Sequence, residues 1–262
     1  MRYQGHWAGL VLAAAAVAVV GASGSAWGAV IVTSEQNAGY NVFTTVPDAS
    51  ASDYLEGAGG GANGVSSGPN SNGASISASL SSYGGNGGGL SVLTDGVMNP
   101  ASENDGDVST SYFQADGTGY NFTINLGSSV SIEQFNTYSA HTDARLPQNY
   151  ILIGSNSSNF STFTTLATVN AGTNGPSPAP VGGELGVSIH DDSQTGILPN
   201  GAPIGQFQYL QMQVQSDTNN TGNGHGFTFY KEIDVIVGTP EPASLGLMAL
   251  GAIGMLGRRR RR

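Results

Sequence analysis

Alternation of apolar and polar residues constrains this chain more than any other feature. Tyr120, Phe122, Ile124 and Leu126 alternate with polar residues, and the run ends at Gly127. Side chains two apart share one face of a strand, so the pattern fits a half-buried β-strand. It returns at Val130, Ile132 and Phe135 up to Tyr138, and at Tyr150, Leu152 and Gly154. It is looser at Phe163, Leu166 and Val169, and Val187 and Ile189 follow. Leu210, Met212 and Val214 form an apolar face opposite Phe207, Tyr209, Gln211 and Gln213. Phe227, Phe229, Ile233, Val235 and Val237 close the series. Short strands separated by Gly, Asn and Ser turns predict an all-β sandwich. Forty glycines, 10% charged residues and no amphipathic helix outside the two ends argue against a helical bundle.

Residues Gly57 to Gly89 hold twelve Gly, eight Ser and four Asn, which is loop or linker composition. Ile76, Ala78 and Leu80 alternate with serine there and permit one short strand. Val30 to Thr33 and Gly39 to Thr44 look strand-like, and at least one is expected to pair with the sheet. Pro176, Pro178 and Pro180 mark a long surface loop. Four segments result: 1–28, 29–89 with N-terminal strands and the Gly-rich stretch, the sandwich at 90–238, and 239–262.

Charge excludes one class of partner. Between Ala29 and Gly238 the cations are Arg145 and Lys231, against seventeen acids. Nucleic-acid binding needs cations to replace phosphate counterions, so it is not expected. Anionic lipid is disfavoured for the same stretch. Without cysteine there is no disulfide framework and no thiolate-bound metal.

The ends read as addresses. Arg2, an apolar run from Ala8 to Ala22 and small residues to Ala26 form a secretory signal, with cleavage expected after Ala26 or Gly28. The other end reads Pro240-Glu241-Pro242, an apolar run from Ala243 to Leu256, and Arg258, Arg259, Arg260, Arg261 and Arg262. A helix over that run spans roughly 21 Å, short of a hydrocarbon core of about 30 Å. Snorkelling arginines and local thinning can close the gap, and the arginines favour the cytoplasmic side. The two addresses call for the export machinery as a partner.

This tail resembles the PEP-CTERM sorting signal of Gram-negative bacteria. The resemblance implies recognition by an exosortase-type membrane enzyme near Pro240, Glu241 and Pro242. It also implies membrane contact through the C-terminal helix before processing, and a location in the cell envelope or outside the cell, often with exopolysaccharide.

Other stretches resemble a discoidin-type, galactose-binding-like jelly roll. They are Leu93-Thr94-Asp95-Gly96, Tyr120 to Gly127, Arg145 to Ser155, Tyr209 to Met212, and Glu232-Ile233-Asp234-Val235. Tryptophans common in that family are absent, since Trp7 and Trp27 lie in the signal region, and so is the terminal cysteine pair. The resemblance implies calcium bound through Asp95 and Glu232. On the residues alone, Asp95 making a turn and Glu232 pairing with Lys231 or water serves as well. It also implies sugar bound by Arg145, with His141 nearby, since guanidinium suits bidentate hydrogen bonds to hydroxyls. A structural ion pair between Arg145 and Asp143 is the other reading. Tyr112, Phe113 and Tyr138 are candidates for stacking on sugar, or for core.

Catalytic motifs lack context. Gly64-Val65-Ser66-Ser67-Gly68 fits GxSxG, but a nucleophile elbow needs a strand before it and a helix after it. His141, His190 and His225 form no HxxxH or HExxH pair. Asp105, Asp107 and Ser109 match EF-hand spacing, yet Thr110 stands where the turn wants glycine. The expectation is therefore an exported, non-enzymatic binding protein for carbohydrate. A passive matrix protein and a secreted hydrolase of another kind stay open.

Overall fold

A computed structural model describes residues 29–37, 43–50, 53–58, 69–80, 89–97, 112, 119–141, 146–172, 183–194, 202–215 and 228–238. Expectations for the signal segment, Gly64 to Gly68, Asp105 to Thr110, Phe113, the side chain of His141, Asp143, Arg145, the Pro176–Pro180 stretch, His225 and the sorting tail lie outside them. No helix among the described residues is long and apolar enough to cross a membrane.

The described elements are strands β1 (Val30–Asn37), β2 (Ser75–Ala78), β3 (Tyr120–His141), β4 (Gln148–Ser155), β5 (Thr164–Ala171), β6 (Gly183–Asp191), β7 (Gly205–Val214) and β8 (Tyr230–Val237), with a 3-10 turn at Leu90–Leu93. The sheet order is β1-β6-β3-β7-β4-β5, and β2 and β8 also pair with β3. The all-β reading holds, and both β1 and the short strand in the Gly-rich stretch join the sheet.

Gly127 does not end a strand, as the alternation suggested; it bends one. β3 runs through 22 residues, and its pairing with β7 shifts between Asn125 and Val130. Gly127 sits at φ 75°, and a Cβ there would lie 2.9 Å from the Gly73 carbonyl oxygen. Glycine alone takes that conformation and that approach without strain. The bend lets β3 serve two layers. Its first half pairs with β2 and β7, its second half with β6 and β8.

Between the layers lies one core that includes Phe122, Ile124, Phe135, Tyr150, Leu152, Val187, Ile189, Leu210, Met212 and Val235. Tyr112, Tyr120, Phe122 and Tyr230 meet there at centroid distances of 5.0–6.2 Å. Edge contacts of this kind add to the area they bury. The layer of β7 and β4 keeps the expected alternation, with Leu210, Met212 and Val214 inside and Gln211 and Gln213 half-buried. The layer of β6, β3 and β8 is buried on both faces. Its outer face is covered by residues 43–50 and 53–58, which we call the strap. Phe43 and Val46 of the strap pack on Tyr138, whose hydroxyl donates to the Pro47 carbonyl at 2.8 Å. Tyr112 and Tyr138 are therefore core, not sugar-stacking surfaces: both are fully buried.

Candidate metal centre beneath the strap

Along β8, Ile233 and Val235 face the core, so Glu232 and Asp234 face outward under the strap. Both carboxylates are buried. Glu232 stands opposite Tyr138 in the ladder and Asp234 opposite Asn136, a buried amide whose side-chain atoms find no hydrogen-bond partner.

The strap is tied along β8. The Tyr54 N–H donates to the Val235 carbonyl at 3.0 Å, and the Ser50 N–H to Asp234 Oδ2 at 3.1 Å. Asp53 Oδ1 accepts the N–H groups of Leu55 at 2.6 Å and Val235 at 3.3 Å. The Gly57 N–H reaches the Thr94 carbonyl at 2.8 Å, joining the strap to the Asp95 loop. From β8, Glu232 Oε2 accepts the Gly96 N–H at 3.0 Å, and its carboxyl is hydrogen-bonded to Asp95.

The fold thus brings Asp95 and Glu232 together. It adds two acids, Asp53 and Asp234, to which the sequence reading gave no metal-binding role. Donor atoms of Asp53, Glu232 and Asp234 lie within 4.8 Å of one another. Asp53 Oδ2 and Asp234 Oδ1 are buried and unpartnered. One signal for Asp234 was available: it shares the strand face of Glu232. For Asp53 there was none, because only the strap's path brings it to β8.

The electrostatics are one-sided. Burial pushes the Asp53 carboxyl up to about 6, and Glu56 adds to the rise. Burial also pushes Glu232 up to about 11, helped by Asp234, Asp95 and Asp53. Asp234 rises well above its ordinary range, by burial and then by Asp53. Crowded, dehydrated carboxylates of one sign hold protons unless a cation replaces them. A hard divalent cation with six to eight oxygen ligands suits such a set, so the residues fit calcium.

His190 does not join the cluster. Its Nε2 lies 3.0 Å from Thr33 Oγ1 and its Nδ1 3.0 Å from the Asp191 carbonyl. The carbonyl can only accept, so Nδ1 donates to it, and both ring nitrogens have partners away from the cluster. A cleft of about 160 Å³, lined by Asp53, Tyr54, Asn72, Val235, Ile236 and Val237, opens beside the cluster. Of the sugar-binding candidates, His141 ends β3 and Leu146 precedes β4, so Arg145 belongs to the connection between them.

No curated protein matches the chain. Solved structures similar to it include a family 32 carbohydrate-binding module of Clostridium perfringens NanJ in complex with galactose, at 15% identity and TM-score 0.37, covering 62% of this chain and 92% of that one. The C-terminal domain of a Bacteroides fragilis chitobiase matches at 13% identity and TM-score 0.38, covering 64% and 95%. A fucolectin from the serum of striped bass, Morone saxatilis, matches at 11% identity and TM-score 0.38, covering 63% and 46%. Residues 239–262 match the PEP-CTERM protein-sorting motif. The chain is thus an all-β protein that carries a PEP-CTERM sorting motif directly behind its last strand.

Proposed function

We propose that this is an exported, non-enzymatic binding protein of the cell envelope, processed by an exosortase-type enzyme. Its sandwich takes carbohydrate at the connection holding His141 and Arg145, and calcium in the cluster of Asp53, Asp95, Glu232 and Asp234. The single observation that carries the reading is the buried carboxylate cluster. A metal there fastens the strap and the Asp95 loop to β8, so the sandwich is rigid without a disulfide.

The base of the Arg145 connection is also braced. Ser139 Oγ donates to the Leu146 carbonyl at 2.6 Å, and Thr228 Oγ1 donates to the Pro147 carbonyl. Gln148 Nε2 donates to the Leu185 carbonyl at 3.1 Å, and its Oε1 accepts from Thr137 at 2.5 Å. A guanidinium on such a base can present two parallel donors to neighbouring sugar hydroxyls. The polysaccharide of the cell's own surface is the expected ligand.

A glycan screen of the exported protein, with calcium and again with chelator, tests the reading. Saturable binding to a few glycans, lost in Arg145→Ala at unchanged melting temperature, is the expected result. A folded protein that binds no glycan in either condition sinks the sugar reading. Calorimetric titration with calcium tests the metal separately.

A further inference from the structure

The sandwich has two unlike ends. At one, the Gly238 N–H donates to the Ser131 carbonyl at 2.9 Å, and the sorting motif starts at the next residue. Pro240 follows two residues on, a reach of about 7 Å, and the apolar run from Ala243 starts within about 17 Å of Gly238. Whatever holds that run therefore holds this end of the sandwich close to itself.

Hydrogen bonds lead sideways from Gly238 to a loop. Ser131 stands opposite Gln206, whose carbonyl accepts Asn156 Nδ2 at 3.2 Å. Asn156 Oδ1 accepts the Gln208 N–H at 2.9 Å. Asn156 opens the connection from β4 to β5, so this connection and the exit of the tail share one end.

The connection is stiff and displays aromatic rings. Ser155 Oγ donates to the Thr162 carbonyl at 2.7 Å, and Asn159 Oδ1 accepts from Ser157 Oγ at 2.7 Å and the Ser161 N–H at 3.0 Å. Within it Phe160 holds φ 52°, a conformation uncommon outside glycine that persists only where surroundings enforce it. Its ring meets Tyr209 at 6.4 Å, and Phe163 is 58% exposed. Around them stand Ser157, Asn159, Ser161 and Gln206, all uncharged, while the acids of this end, Glu133 beside Gly238 and Asp191 and Asp192 where β6 closes, belong to the other layer. In a chain this acidic, the uncharged aromatic connection from β4 to β5 is the part of this end that a lipid headgroup layer would not repel. Aromatic rings also favour that layer.

We propose that, before processing, this end rests on the bilayer surface with Phe163 and Phe160 in the headgroup region. The His141–Arg145 connection then faces away. From Ile132, opposite Val237, to Ser139, opposite Tyr230, β3 climbs about 23 Å. The proposal rests on the sorting motif and is independent of the sugar and calcium readings.

The test uses the full chain with Trp7→Phe and Trp27→Phe, so that one introduced tryptophan reports alone. Phe163→Trp marks the near end and Gln215→Trp the far end. The protein is bound to phosphatidylcholine vesicles carrying a nitroxide quencher near the headgroup. Quenching several-fold stronger at position 163 than at 215 is the expected result. Equal quenching, or none at either position in protein that floats with the vesicles, overturns the proposal. Protein that does not float shows that the tail itself fails to hold the membrane, and the proposal falls with it.

Discussion

Glu232 and Asp95 share a hydrogen bond, with the N–H of Gly96 held by the same Glu232 carboxyl at 3.0 Å. Two acids in that relation share a proton, and a third and fourth, Asp234 and Asp53, stand close behind. Burial and crowding favour a proton or a metal ion in this cluster at neutral pH.

Calcium is predicted to raise the melting temperature, and chelator to lower it. At a calcium concentration about 100 times the dissociation constant, the gain is about 2.7 kcal/mol. Asp234→Asn keeps the shape and removes a charge, so it should stabilise the metal-free protein at pH 7 and weaken the calcium response. Thermal melts of both proteins with and without calcium measure this. Equal calcium shifts in the two would rule Asp234 out as a ligand.

The metal-free protein should lose stability as pH rises. The folded-state values of Asp53 and Glu232 lie above the unfolded ones, so the folded state binds more protons and stability falls with pH. The loss starts near the ordinary carboxylate range, passes about 6 through Asp53 and continues toward about 11 through Glu232. Asp53 accounts for about 3 kcal/mol of it. Denaturant titrations between pH 4 and pH 8 in chelator show the slope, and calcium should flatten it. Metal-free stability that rises across this window would contradict the prediction.

Gly127→Ala should cost about 1–3 kcal/mol, because φ is positive and the new Cβ meets the Gly73 carbonyl. Gly57→Ala is the control: it shares a positive φ but has nothing within 4 Å. Its smaller loss in urea unfolding would separate the close approach from the backbone strain.

Phe122→Ala should cost about 3–5 kcal/mol. Its ring touches Tyr112, Tyr120 and Tyr230, which come from three separate segments. A loss below about 1 kcal/mol in the same assay would mean that the aromatic cluster closes over the gap.

The sequence alone determined the β class, the strand faces and the C-terminal sorting motif. Alternation from Tyr120 to Leu126 and from Leu210 to Val214 is local and reports which face meets the core. Pro240, Glu241, Pro242 and the terminal arginines are read as a linear string by the sorting match. Tertiary structure decided what alternation cannot express. Gly127 looked like a stop and is a bend, because the close approach of Gly73 is a long-range fact. Tyr138 was open between a sugar-stacking ring and core, and it is buried because the strap covers it. Asp53 joined Glu232 and Asp234 because the strap runs along β8, at a sequence separation of 182 in the case of the Asp53–Val235 bond. Burial on both faces of a layer removes the polar and apolar contrast that periodicity depends on. The carboxylate cluster lies in such a layer, and only the packing of distant segments created it.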